Sequence, residues 1–112
     1  MKIPQSVLTE REFDLSYNVK EGVCKFNIHN SEEHEMAKAL LMFRMMHNGH
    51  KMFSEVIFKG KKARADLVNA TTGTIIELLS SEKIEDAKEK EKYYPASLMI
   101  QYYDAKDVLT KY

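Results

Sequence analysis

The chain has 112 residues, 44% hydrophobic and 30% charged, which is the balance of one ordinary globular domain with a modest core. Lysine plus arginine (17) equals aspartate plus glutamate (17), so the net charge of zero argues against a protein that coats nucleic acid by phosphate neutralisation alone, while leaving room for a local basic patch. No apolar run approaches the roughly 18 residues of a membrane helix, the opening MKIPQSVLTEREFD has no signal-peptide core, and Cys24 has no second cysteine to bridge to; the expectation is a single cytoplasmic domain over residues 1–112.

In chain order, Glu12–Leu15 and Val23–Ile28 alternate loosely and predict an N-terminal strand or hairpin turning near Lys20-Glu21-Gly22. Asn30 or Ser31 then caps a helix, with Glu33 completing a capping box and Glu32, Glu33 and Glu35 suited to the positive end of its dipole. Met36, Ala37, Leu40, Leu41, Phe43 and Met45 recur at helical spacing up to Asn48-Gly49. Three strands follow, Lys51–Phe58, Ala63–Asn69 and Thr74–Leu79, separated by turns at Gly60 and at Ala70–Gly73. A charged helix runs from Ser81 or Glu82 to Tyr93, where Pro95 stops it, and Ser97–Tyr103 is a last strand. The helix, three-strand meander, helix, strand order predicts an α/β sandwich. Its mixed sheet of four core strands is covered by the first helix and bordered by the second, which has only a thin apolar face.

The central hairpin carries the chemistry. If Ala70–Gly73 is a four-residue loop, Asn69 faces Thr74 and, further along the strands, Asp66 faces Glu77 on the same side of the sheet, with Cβ atoms about 5 Å apart. Like charges there repel, and the strands are otherwise apolar, so the pair calls for a shared proton, a lysine or a metal. Oxygen ligands of this kind suit Mg²⁺ or Mn²⁺ and not zinc. The plainer alternative turns one acid to solvent, or pairs it with Arg64 or a lysine, and a bulge would put the two on opposite faces.

Lys59, Lys61, Lys62 and Arg64 cluster at the turn beside Asp66, either to grip a phosphate backbone or as a solvated hairpin tip. His34, His47 and His50 have no zinc-ligand spacing. The methionines from Met36 to Met52 exceed one helix face, so some can serve a homodimer contact. The tyrosines at 93, 94, 102, 103 and 112 can pack on the sheet or stack on bases.

The stretch from Ser31 to Glu82, with Glu33-His34-Glu35-Met36-Ala37-Lys38, Ser54-Glu55-Val56, Ala63-Arg64-Ala65-Asp66-Leu67-Val68 and Ile75-Ile76-Glu77, resembles the PD-(D/E)xK, or restriction-endonuclease-like, nuclease superfamily. That superfamily includes archaeal Holliday-junction resolvases and small proteins of archaea and their mobile elements. The resemblance covers residues 31–103. It implies a restriction-endonuclease-like core, DNA (branched or duplex) as the partner, and Mg²⁺ (or Mn²⁺) held by Asp66, Glu77 and Glu55. Glu33, His34 and Lys38 match the family's first-helix pattern. The family expects lysine two residues after the acid, and Leu79 stands there. Members that carry the lysine on the following helix point to Lys88 or Lys92, with Ser80, Ser81 or Lys38 as further contributors. The implied activity is metal-assisted phosphodiester hydrolysis. Two alternatives remain open at this stage. One is a catalytically inactive nuclease-fold protein serving nucleic-acid binding or assembly, and the other a structural protein whose acids form a salt-bridge network.

Overall fold

The computed structural model describes residues 2–61, 63–81 and 84–112. Helix α1 (Gln5–Glu10) and a single 3₁₀ turn (Leu15–Tyr17) precede the long helix α2 (Glu32–His47). Strands β1 (Met52–Ile57), β2 (Arg64–Asn69) and β3 (Thr74–Leu79) follow, then the short helix α3 (Ile84–Lys88), a 3₁₀ segment (Glu89–Tyr93), strand β4 (Met99–Asp104) and helix α4 (Ala105–Lys111). The strands lie side by side in sequence order; β1, β2 and β3 are antiparallel and β4 runs parallel to β3. This is a mixed α/β fold with a four-stranded mixed sheet. No helix among the described residues is long and apolar enough to cross a membrane.

Helix α2 begins where the sequence places its cap. The Ser31 hydroxyl accepts the His34 N–H at 3.1 Å, and the three glutamates of the first turn meet the positive end of the dipole. Gly49 ends the helix with a left-handed backbone, φ 88°. Helices α2 and α4 cover one face of the sheet, burying Ala37, Leu41, Met42, Ala105 and Val108 against Met52, Leu67, Ile76 and Leu78. On the other face Phe13, Tyr94 and Leu98 close over Phe53, Val56, Phe58, Ala65, Val68 and Ile75.

The N-terminal hairpin does not form. Residues 12–15 make one isolated bridge, Phe13 to Phe58, and 23–28 contain no strand. The alternation there has no partner strand to satisfy, and Val23, Phe26 and Ile28 stay exposed. The segment's backbone instead bonds the outer edge of β1 and the groups beside it. Gly22 N–H reaches the Met52 carbonyl at 2.8 Å, Asp14 N–H the Ile57 carbonyl at 2.9 Å, and Lys25 N–H the Ser54 hydroxyl at 2.7 Å. The first thirty residues therefore cover a sheet edge that would otherwise be open to another chain.

The second helix is shorter than its charge pattern predicts. Its expected start at Ser81 or Glu82 runs into residues 82 and 83, which lie outside the described residues. From Glu89 the winding tightens to 3₁₀. Only Ala87 of α3 is buried, too thin a face to hold three α-helical turns on the core. Helix α4 was not expected. Asp104 caps it, accepting the Asp107 N–H at 3.1 Å.

Phe13 lies edge-on to Phe53, with ring centroids 4.9 Å apart, and is 1% exposed. Phe13→Ala is expected to cost about 3–5 kcal/mol through the cavity it leaves. Urea unfolding checks this, and a loss under about 1 kcal/mol would show that the N-terminal segment does not belong to the folding unit.

Candidate active site

The site begins with a defect in the sheet. The β1–β2 ladder pairs Ser54 with Leu67 and Val56 with Ala65 but skips Glu55 and Asp66 between them. The β2–β3 ladder stops at Leu67–Ile76, one step short of Asp66 and Glu77. Glu55 has φ 51°, a left-handed conformation that a non-glycine residue adopts only under strain. Its effect is visible in the packing. Phe53, Val56 and Phe58 share one core cluster, so the inward alternation jumps a residue at Glu55, and Ala65 and Val68 show the same jump across Asp66. Both acids thereby turn towards α2.

Carboxylates take over the bonds that the ladder omits. Glu77 Oε2 accepts the Asp66 N–H at 3.0 Å, and Asp66 Oδ2 accepts the Leu78 N–H at 2.8 Å. Asp66 and Glu77 thus interlock across the two strands where the ladder breaks, Glu77 on the backbone N–H of Asp66 and Asp66 on that of Leu78.

Helix α2 presents three polar side chains to this gap. His34 Nε2 lies 3.3 Å from Asp66 Oδ2, and its Nδ1 lies 2.7 Å from Glu35 Oε2. Lys38, fully buried, donates to Glu35 Oε1 at 2.7 Å and to the Lys25 carbonyl at 2.6 Å, and faces Glu55 Oε2 at 3.6 Å. From the crossover to β4, Lys90 Nζ stands 3.0 Å from Glu77 Oε1 and the Tyr94 hydroxyl donates to the same oxygen at 2.5 Å.

The electrostatics follow from burial and pairing. Burial pulls the His34 imidazolium down, but the hydrogen bonds and charges of Asp66 and then Glu35 outweigh it and raise its pKa to about 9. Burial raises Glu35, yet the Lys38 ammonium, the Asn27 N–H and His34 bring it down to about 2. Glu55 is raised by burial against the pull of Lys38, and Glu77 by burial and then by the charge of Asp66. Burial and the Glu77 charge push Tyr94 far up, so its hydroxyl stays a donor.

The structure brings Glu55, Asp66, Glu77, His34 and Lys38 together. It does not bring in the two lysines favoured on the second helix. Lys88 is exposed, and Lys92 pairs with Glu89 at 3.8 Å over the ring of Tyr93. Lys90 reaches the acids instead, because the 3₁₀ winding changes which face of the segment meets the sheet. Glu33 is half-buried, while its neighbours His34 and Glu35 occupy the inner face. Ser80 and Ser81 line a polar cavity with His34. Lys59 and Lys61 are exposed, Arg64 lines the acid pocket, and Lys62 lies outside the described residues. Sequence reasoning missed Glu35, Lys90 and Tyr94. Glu35 was findable, since it shares the buried helix face with Lys38 and Met42, three and seven residues on.

Glu55, Asp66, Arg64, Lys90, Asn27 and Asn30 line a polar pocket of about 220 Å³. A larger cavity of about 450 Å³, between Leu41, Arg44, Met45 and Tyr112, contains none of the acids. Among the described residues no three His, Cys, Asp or Glu side chains form a ready metal cage. Mg²⁺ does not need one, because it commonly takes one or two carboxylates and completes its octahedron with water and substrate phosphate oxygens. Glu55 and Asp66, on neighbouring strands and both lining the pocket, fit that pattern. A zinc-type site does not fit, since both His34 nitrogens already face carboxylates. No family model, curated protein or solved structure matches the chain.

The shifts at His34 and Glu35 set a pH window. His34 is raised from 6.5 to about 9, so its contribution to stability is complete below about pH 6.5 and is lost as pH rises through about 9. Glu35 is lowered from 4.5 to about 2, so its contribution is present above about pH 4.5 and is lost as pH falls through about 2. The stability difference between wild type and His34→Gln is therefore expected to be largest near pH 6 and to shrink towards pH 9–10. Urea midpoints measured across that range check it, and a difference that stays constant would refute an imidazolium at this position.

Proposed function

We propose that the chain is a Mg²⁺- or Mn²⁺-dependent nuclease of the PD-(D/E)xK type, hydrolysing phosphodiesters in DNA at the pocket between Glu55 and Asp66. The observation that carries the reading is the Lys90 ammonium held 3.0 Å from Glu77, beside Asp66 and at the opening between β2 and β3. In this reading Lys90, from the crossover, takes the part of the lysine that the resemblance expects where Leu79 stands. The element order from α2 to β4 agrees with the implied core.

In this reading Glu55 and Asp66 would hold the cation, whose chemistry when bound would be to lower the pKa of a water and offset phosphate charge. His34 fixes the orientation of Asp66, and Lys38 holds Glu55 and Glu35 in place. Lys90 and Arg64 face the negative charge that grows on the phosphate oxygens as the water attacks. Tyr94 and Lys90 hold the Glu77 carboxylate so that it supports the Asp66 backbone. A homodimer would set two such pockets against the two strands of a duplex.

A second reading has its own observation. Each acid already faces a cation or an N–H donor from the chain, which suits a catalytically inactive nuclease-fold protein serving nucleic-acid binding or assembly.

Cleavage of plasmid and branched DNA with Mg²⁺ or Mn²⁺ separates the two. Wild type is expected to cut, and an Asp66→Ala, Glu77→Ala double variant with a native circular dichroism spectrum is not. Lys90→Ala is expected to lower turnover about 10²–10³-fold, the usual effect of losing one donor to developing charge, whereas Lys88→Ala and Lys92→Ala leave it unchanged. No cutting, together with no gain in melting temperature on adding the metal, would sink the nuclease reading in favour of the second.

A further inference from the structure

The acid pocket is the middle of three cavities that share walls. On one side it shares Asn27, Glu55 and Arg64 with a cavity of about 400 Å³ bounded by Lys25, Phe26 and Ile28. On the other it shares Asn30 with a cavity of about 260 Å³ bounded by Ser31, His34, Ser80 and Ser81. Segment 25–31 lines all three, which follow one another along it as a broken groove with Glu55 and Asp66 in the middle pocket.

That wall combines two properties that seldom occur together. Two of its side chains are apolar and open to water, Phe26 63% and Ile28 91% exposed. Its backbone is nevertheless pinned to buried groups. Lys25 N–H is held by Ser54, the Lys25 carbonyl by the Lys38 ammonium, and Asn27 N–H by Glu35 Oε1 at 2.6 Å. The Phe26 ring also lies over the Lys38 ammonium, 5.9 Å from Nζ to the centroid. The backbone at Lys25 and Asn27 is thus held before any ligand arrives, which favours binding. Lys25, His29 and Arg64 stand beside the exposed apolar groups.

The ligand that suits such a wall has flat apolar faces spaced along an anionic chain. A duplex shows proteins its phosphates and the edges of its bases, and keeps the base faces inside the stack. Unpaired bases offer those faces, and aromatic side chains take them with little regard to sequence. We propose that Phe26 and Ile28 receive unpaired bases, and that this groove binds single-stranded nucleic acid, or an unpaired stretch of a larger one, with the backbone passing Glu55 and Asp66. The path of the backbone rests on the nuclease reading; the contact with bases does not.

The test is fluorescence anisotropy with a fluorescein-labelled single strand of about 12 nucleotides, as DNA and as RNA, against the blunt DNA duplex, at fixed salt and in EDTA so that nothing is cut. At least one single strand is expected to bind at least about tenfold tighter than the duplex. Phe26→Ala is expected to weaken it about tenfold, while Phe26→Tyr retains it. If Phe26→Ala lowers the melting temperature, Ile28→Ser carries the same comparison from a side chain that is almost wholly exposed. Equal affinity for single strand and duplex, or no loss in a folded variant, overturns the proposal. Phe26-dependent binding with no Mg²⁺-dependent cleavage by wild type keeps this inference and removes the nuclease reading. Cleavage indifferent to Phe26→Ala, with equal affinities, does the reverse.

Discussion

Two strands of this sheet are joined at one point by side chains in place of backbone. Asp66 and Glu77 sit where β2 and β3 part, and each carboxylate accepts an N–H from the opposite strand. A carboxylate in this role satisfies a buried donor and at the same time puts a negative charge at the floor of a pocket. Removing either one has two costs, an unpaired N–H and a shift in local charge. His34 meets that gap from α2, and Lys90 and Tyr94 meet it from the crossover.

The surrounding charges reach the gap from two directions and by different means. Helix α2 delivers His34, Glu35 and Lys38 from one face of a long, well-capped element packed on the core. The crossover delivers Lys90 and Tyr94 from a short helix that has lost its α-helical winding. Buried ion pairs of this kind add little net stability over an apolar core, because desolvation consumes most of the attraction. Their effect here is geometric. With His34 and Lys38 in place the carboxylates of Asp66, Glu35 and Glu55 have few orientations left.

The meander was legible because its turns carry glycines and its strands carry β-branched residues, and the loop from Ala70 to Gly73 set Asn69 against Thr74, though the ladder breaks before it reaches Asp66 and Glu77. Helix α2 was legible to its ends at Ser31 and Gly49, whereas Asn30 bonds Glu35 in place of the expected capping box with Glu33. The N-terminal region was misread because Val23–Ile28 alternates as a strand does, and periodicity alone does not say whether a partner strand exists. Lys90 was hidden by the change from α to 3₁₀ winding, which a run of lysines and glutamates does not signal. The turn of Glu55 had no sequence mark at all, since a left-handed backbone is ordinarily announced by glycine or asparagine. Fold class could therefore be read from pattern, whereas the geometry of the site depends on departures from pattern.

The conformation of Glu55 sets a trade-off. Glycine would adopt φ 51° freely, whereas an L-residue there sacrifices about 1–2 kcal/mol. A sequence tuned only for foldedness would place glycine at this position and lose the carboxylate that faces Lys38 and lines the pocket. Backbone ease and a buried carboxylate therefore pull against each other at a single residue in the middle of an edge strand. Variants gathered by a stability screen alone would drift towards a quieter sheet and an emptier groove.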